Sequence, residues 1–380
     1  MKLTKHLHRV LSLSLPRKAP AVNVLFHADG EAQKGIGHLV RTLDIALSMN
    51  RPIQATFLTF TPNIGKKVLS QLQEYYPNTN LQFQWHSLSK IKTKKSKKPL
   101  GRVGWIHAVD IVYEKLLKIL GKKAFHVLVS DGKYPWTKKQ ILELKKHAHI
   151  ILIDNIYPAA QFSDCLIFPT DHFPESQKKK YPQDMLRTGL DWTWLHPAVR
   201  KLQNQYSRPP ITFDTALCFG GADPAKLTLK MMQMITESGL FKTVAVALGQ
   251  AFTHTTQIKE FAHNSPQIHW TIFESNSNIH NTYLQSKFVM APLGLTLYEC
   301  TALGVPALVI PFDAENEIDA KEFLSRHPDA GKIFLSHQDI KVFIKTIQGL
   351  LKVHPPFNSK TFQIGNLRDN LKKEILIIPF

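Results

Sequence analysis

Continuous apolar runs alternate with helical patterns twice along this chain, and that rhythm most restricts the folds open to it. The first series of runs lies at 22–26, 55–59, 81–85, 125–130 and 150–154, with helical patterns at 106–120 and 138–146 among them. Runs that are apolar at nearly every position, not at every second one, mark strands buried on both faces. Strands of that kind separated by helices form a parallel sheet covered on both sides. Periodicity lapses into Pro, Trp and Tyr from about Pro169 to Pro210, and the alternation then restarts. The second series of strands falls at 216–219, 244–248, 268–272, 288–291 and 307–310, with helices at 227–238, 296–303 and 317–324. The expected class is therefore α/β: two Rossmann-like, doubly wound parallel-sheet domains with a ligand cleft between them at the C-terminal strand ends. The divisions are a basic extension over 1–20, a first domain over 21–190, a connection over 191–212, a second domain over 213–354 and a tail or helix over 355–380. No strict sequence repeat underlies the likeness of the halves.

Composition agrees with this. The 380 residues suffice for two domains, and 43% hydrophobic with 20% charged residues describes a globular chain. Cys165, Cys218 and Cys300 are odd in number and far apart, which excludes a disulfide framework or a Cys-x-x-Cys knuckle and fits a reducing compartment. A formal charge of +19 favours anionic partners. Part of it is blocked: Lys2, Lys5, Arg9, Arg17 and Lys18 near the start, seven basic residues from Lys90 to Arg102, and Lys178 to Lys180. The Lys90–Gly104 stretch reads as a surface insertion. These runs lack interleaved aromatics and no reader motif is present, so nucleic acid is not an expected partner. An anionic membrane surface is, because the acid-free N-terminus can lie peripherally on an inner leaflet. Its short, serine-bearing apolar stretch closed by Arg17-Lys18 does not read as an export signal, and no apolar run approaches the ~18 residues of a membrane span. The expected location is cytoplasmic. The 18 histidines suggest no closed ligand set, so neither a metal nor another cofactor is expected.

Three motifs carry chemistry. Gly35-Ile36-Gly37-His38-Leu39-Val40-Arg41 follows the first strand and opens a helix. Free backbone N–H groups and the helix dipole converge there on an anion, and His38 adds a group able to exchange a proton near neutral pH. Asp29 and Gly30, at the end of that strand, place a carboxylate close by. The dinucleotide fingerprint is absent, since the Gly-x-x-Gly continuation is missing. The second motif, Cys218-Phe219-Gly220-Gly221-Ala222-Asp223-Pro224, again joins strand, glycine loop and helix. Its two glycines let backbone N–H groups approach a diphosphate, while Asp223 suits either a cap or a ligand contact. The third runs from Gly294-Leu295-Thr296-Leu297-Tyr298-Glu299 to Gly304-Val305-Pro306, a turn and helix that can aim the Glu299 carboxylate at ribose hydroxyls.

In this order and spacing the motifs resemble the glycosyltransferase-B superfamily and, within it, the PseG-type UDP-sugar hydrolases of pseudaminic acid biosynthesis. The resemblance spans roughly Val22 to Ile318, includes Arg187-Thr188-Gly189-Leu190, and extends more distantly to the lipid-linked glucosaminyl transferases of peptidoglycan synthesis, which share the later motifs. Ile153-Asp154-Asn155 falls where the family carries a second acidic strand end. By that resemblance His38 is the general base toward water, with Asp29 beside it. Gly35, Gly37 and Arg41 belong to the first loop, and Gly220, Gly221 and Asp223 lie under the diphosphate. Gly294 and Thr296 support it, Glu299 binds ribose, and Asn316 with Glu317 meets the sugar. His27 stands where the family usually has Arg, Glu317 replaces a Gln, and Pro292-Leu293 replaces smaller residues.

The function this implies is release of UDP from an activated, N-acetylated deoxy amino sugar in bacterial surface-glycan biosynthesis. Two alternatives stand beside it: transfer from a UDP-sugar donor to an acceptor at the membrane face, and nucleotide-sugar binding without catalysis.

Overall fold

A computed structural model of the chain describes residues 21–30, 36–49, 53–79, 81–88, 102–173, 175–203, 208–221, 223–249, 252–274, 279–353 and 364–377. The N-terminal basic extension, Gly35, Ala222 and the lysine-rich stretch up to residue 101 lie outside these residues.

Two parallel sheets organise the molecule. The first comprises β1 (Val22–Ala28), β2 (Ile53–Thr59), β3 (Phe83–Ser87), β4 (Val127–Asp131), β5 (His149–Ile153), β6 (Cys165–Ile167) and β7 (Leu186–Arg187), in the order β3-β2-β1-β4-β5-β6-β7. The second comprises β8 (Phe213–Cys218), β9 (Thr243–Leu248), β10 (His269–Glu274), β11 (Ser286–Ala291), β12 (Ala307–Val309) and β13 (Gly331–Ile333), in the order β10-β9-β8-β11-β12-β13. The α/β class with two doubly wound domains is thus observed. Phe26 of β1 pairs in register with Phe57 of β2 and Val129 of β4, so the centre of the first sheet is apolar on both sides of the ladder.

Alternation of side chains along each strand divides the cores. Val24 and Phe26 point to one face, where Leu39, Leu43 and Ala46 of the helix Gly37–Leu47 cover them. Leu25 points to the other, against Val112 and Leu116 of the helix Arg102–Leu120 and Ile141 of the helix Lys138–Lys145. In the second half Ala216 and Val289 share a core with the helix Leu295–Leu303, while Leu217 and Met290 pack with Met231 and Ile235 of the helix Leu227–Ser238.

The chain's last described element crosses back. Leu367, Leu371 and Ile375 of the helix Leu367–Ile377, spaced as one helical face, are buried in the same core as Val24 and Trp194. Glu374 on this helix accepts from Arg187 Nε at 2.6 Å, so the tail belongs physically to the N-terminal half.

The boundary differences have simple causes. β6, β7 and β13 span three, two and three residues, too few to show a period, and none is anticipated by the sequence pattern. The helix Pro62–Gln73 is likewise unanticipated, because it buries only Gly65, Val68 and Leu72 and presents polar residues elsewhere. The helix at 138–146 ends at Lys145, started by a capping box in which Thr137 and Gln140 bond each other's backbone N–H.

One carboxylate joins three parts of the chain. Asp44, fully buried on the helix Gly37–Leu47, accepts from Trp194 Nε1 at 2.7 Å, from Arg200 Nη2 at 2.7 Å and from the Tyr76 hydroxyl. Arg368 of the last helix donates to the same Tyr76 oxygen at 3.2 Å. Burial and the Asp44 charge push the Tyr76 hydroxyl up to about 12, so it stays a donor. Removing one partner of a buried ion pair strands the other, and Asp44→Ala should cost about 3–5 kcal/mol of unfolding free energy. Denaturant titration of the variant measures this; a loss below about 1 kcal/mol would contradict the bridging role.

Candidate active site at the two switch points

In each sheet the strand order reverses once, between β1 and β4 and between β8 and β11. Neighbouring connections leave in opposite directions at such a point and open a crevice at the C-terminal strand ends. The chemically loaded loops sit there. The one after β1 leads to Gly37 and His38, β4 ends on Asp131, the one after β8 holds Gly220 and Gly221, and the one after β11 ends on Gly294.

On the N-terminal side the organising group is Asp131, which lies just past the stretch read as the fourth strand. It is fully buried. Its Oδ1 receives Arg41 Nη2 at 2.6 Å and stands 2.8 Å from His38 Nδ1; its Oδ2 receives Arg41 Nε at 2.8 Å and Thr42 Oγ1 at 2.9 Å. Burial opposes ionisation of Asp131, but the guanidinium and its hydrogen bonds, with His38 beside them, hold the carboxyl well below the usual carboxylate range. Two groups meet His38 Nδ1: the acceptor-only Asp131 at 2.8 Å and Arg41 Nη2, a donor, at 2.9 Å. With Nη2 already donating to Oδ1 at 2.6 Å, the imidazole bonds the carboxylate when Nδ1 carries the ring hydrogen, which leaves Nε2 as the proton acceptor. The His38 side chain is 34% exposed. His38, Arg41 and Thr42 reach one carboxylate because spacings of three and four residues place them on one helix face.

Several sequence expectations are corrected here. Arg41 is committed to Asp131 and is a holder of the site, not a free ligand for substrate. Asp29, expected beside the base, turns away: it accepts from Thr59 Oγ1 at 3.1 Å, from the Phe60 N–H at 2.7 Å and from the Tyr134 hydroxyl, and is 5% exposed. Its oxygens are spent inside the first domain. His27 is also internal, with Nδ1 2.9 Å from Ser130 Oγ. Asp131 was detectable as an acid directly before Gly132 at the end of an apolar run.

On the C-terminal side Gly220 has φ 80°, a left-handed conformation that favours glycine, and a Cβ on Gly220 or Gly221 would meet nothing within 4 Å. The loop is therefore open toward the cleft. A third glycine supports it: a Cβ on Gly249, just after β9, would come within 2.4 Å of Gly221 Cα. Gly249 escaped sequence reasoning because it belongs to no motif. Asp223 is corrected to a turn-former, since its two oxygens accept the N–H groups of Leu227 at 2.9 Å and Thr228 at 2.8 Å. Gly294 precedes the helix Leu295–Leu303, and Thr296 Oγ1 lies 3.6 Å from Cys218 Sγ, joining the two loops.

Glu299 is placed behind the cleft wall, 4% exposed, with Oε1 3.3 Å from His280 Nε2; His280, not Glu299, faces the cavity. Glu317 points outward to Lys321 at 2.5 Å, an ordinary i, i+4 pair. Asn316 differs. Its Nδ2 donates to the Leu293 carbonyl at 2.9 Å, whereas its Oδ1 is buried without a partner among the described residues.

Between the halves lies a cavity of about 510 Å³. Ile36, Val40, Leu72 and Tyr75 form one wall, and Cys218, Gly220, Gly249, Phe273, His280 and Tyr283 the other. Ile36 and Val40 share a helix face, and His38 stands round the axis from them, toward β4 and β5. There the halves meet again: the Tyr298 hydroxyl accepts the Asp171 N–H at 2.8 Å and lies 2.9 Å from His172 Nδ1. Among the described residues no helix is long and apolar enough to cross a membrane, and no group of three or more His, Cys, Asp or Glu is arranged to hold a metal ion.

Two expectations follow from these contacts. Gly249→Ala should displace the Gly220–Gly221 loop and cost about 1–3 kcal/mol of unfolding free energy by denaturant titration, with the fold retained in circular dichroism; unchanged stability would separate Gly249 from the loop. Burial lowers His172 to about 4, and burial with the adjacent His280 lowers His196 to about 4, both from 6.5. The unfolded chain thus binds protons that the folded chain refuses. Stability should fall as pH drops from about 6.5 toward 4, by on the order of 3 kcal/mol per ring. His196→Phe should flatten the melting-temperature profile in that window, and an unaltered profile would refute the assignment.

No family model matches the chain. It is 24% identical over 308 residues to the spore coat polysaccharide biosynthesis protein SpsG of Bacillus subtilis, covering 80% of this chain and 81% of that protein. Among solved structures, MurG of Acinetobacter baumannii superposes with a TM-score of 0.59 at 13% identity, covering 94% of this chain and 99% of that one. UGT89C1 of Arabidopsis thaliana, complexed with UDP-L-rhamnose, superposes with a TM-score of 0.62 at 13% identity, covering 94% and 100%. Two parallel doubly wound sheets, glycine loops at both switch points and a last helix returned to the first half make this chain a protein of the glycosyltransferase-B fold.

Proposed function

We propose that the protein cleaves a UDP-activated amino sugar onto water, in the biosynthesis of a surface polysaccharide. The observation that carries this reading is the Asp131–His38 pair at the N-terminal switch point. It fixes the imidazole tautomer and leaves Nε2 as a partly exposed proton acceptor at a helix start. The open Gly220–Gly221 loop and the N-terminus of the helix Leu295–Leu303 supply N–H groups suited to a diphosphate leaving group, so the reading requires no metal. His280, Tyr283 and Phe273 suit a nucleoside, and the unpartnered Asn316 Oδ1 suits a hydroxyl or amide N–H of the sugar. Similarity to SpsG over four fifths of the chain supports the placement in polysaccharide biosynthesis. The basic N-terminus supports a peripheral site at an anionic membrane surface, reached from the cytoplasm.

A base so placed accepts a proton from an acceptor hydroxyl as readily as from water. Transfer is therefore the second reading, and one assay separates the two. Purified protein mixed with UDP-N-acetyl amino sugars should yield free sugar and UDP with no acceptor present. UDP appearing only when an acceptor is added would establish transfer instead.

His38→Ala should lower the turnover number about 10²–10⁴-fold while UDP affinity stays within twofold. Equal loss of both would make His38 a binding residue. Asp131→Asn should lower turnover as well, since a neutral amide no longer enforces the tautomer.

A further inference from the structure

We infer that Asp154 is a second catalytic acceptor, which holds the attacking water together with His38; this rests on the hydrolytic reading above. Asp154 follows β5 directly and has φ 57°, a left-handed conformation rare outside glycine. The main chain enforces it: the Asp154 N–H donates to the Ile167 carbonyl at 2.8 Å, and the next residue, Asn155, is buried with its Nδ2 donating to the Gly132 and Tyr134 carbonyls at 3.2 and 2.8 Å. Strain held in this way at a strand end aims a side chain, and here it aims a carboxylate at the base. Asp154 Oδ2 lies 3.9 Å from His38 Nε2 and 3.9 Å from Arg41 Nη2. It accepts no hydrogen bond from any described residue and remains 23% exposed. Asp29, Asp131 and Asp223, by contrast, have their oxygens filled by internal donors.

Two acceptors 3.9 Å apart are too distant to bond each other and correctly spaced for one water between them. A water about 2.8 Å from each subtends an angle of about 90°, within the range water accepts as a double donor. With both hydrogens so directed, an oxygen lone pair points away from the pair and into the cleft. In the reaction that oxygen bonds to the anomeric carbon, and the bond from that carbon to the β-phosphate oxygen breaks with its electron pair leaving on UDP. One water proton passes to His38 Nε2, and the other stays on the new sugar hydroxyl, hydrogen-bonded to Asp154.

The test uses the full chain, an active UDP-sugar and Asp154→Asn, which keeps shape and tolerates the left-handed backbone. Hydrolysis by the variant should fall about 100-fold in turnover number, with UDP affinity within twofold of the parent. Sodium azide, a nucleophile with no proton to surrender, should restore UDP release in Asp154→Asn and His38→Ala and give the glycosyl azide. Turnover within threefold of the parent would overturn the inference while leaving the hydrolytic reading intact. A folded variant that binds UDP but does not respond to azide would overturn it too, by showing a structural role. Absence of hydrolysis in the parent protein would instead remove the reading beneath it, and the inference with it.

Discussion

The buried carboxylate of Asp131 is the constraint on which the rest of the active-site arrangement depends. A charge with no solvent exposure is costly unless its lone pairs are filled, and Arg41, Thr42 and His38 fill them from one face of one helix. Such a pair adds little net stability over an apolar cluster of equal volume. Its effect is positional. The guanidinium forks onto both carboxylate oxygens and leaves one geometry in which the imidazole can also reach Oδ1. Ring orientation, tautomer and the direction of Nε2 are then consequences of a buried ion pair.

Much of the architecture was legible in the sequence because parallel strands buried on both faces are apolar at nearly every position. The helix Leu227–Ser238 and the cores of β1, β2, β4, β5, β8, β9, β11 and β12 follow from that alone. What escaped was either short or half-polar. β13 has three residues and is held against β12 by the close approach of Gly331 to the Ala307 carbonyl, a tertiary fact without a local pattern. The return of Leu367, Leu371 and Ile375 to the first core is likewise invisible locally, since an amphipathic helix does not state which sheet it covers.

The site was legible by loop and not by side chain. Glycine loops after strands identified both switch points, because a tight turn and an open approach demand glycine whatever the ligand. Residue type cannot say whether a side chain's hydrogen-bonding capacity is already consumed. Asp29, Arg41, Asp223 and Glu299 have the chemistry of ligand contacts, yet each is occupied by a neighbour inside its own half. Asp131 lay one residue beyond an anticipated strand end and emerged only when β4 was seen beside β1, since the two strands are a hundred residues apart. Accounting for donors and acceptors thus separates the residues that build this cleft from those still free to act in it.

The same accounting explains how the halves are joined. Asp44 sits on the helix that carries His38 and binds Trp194 and Arg200 of the connection, so the segment leading to the second domain is anchored on that helix. At the opposite rim His172 and Tyr298 meet beside Asp154, with the imidazole kept neutral by burial so that the phenol can donate to it. The first link is one deeply buried carboxylate, whereas at the second Arg326 and His327 reach Asp171 beside that hydrogen bond, at 3.8 and 2.6 Å. Both links thus tie the halves through carboxylates, Asp44 at one end and Asp171 at the other, and a carboxylate withdrawn from water is costly to leave without its donors. The two links therefore hold the same two halves from opposite ends, one of them through the helix that carries His38.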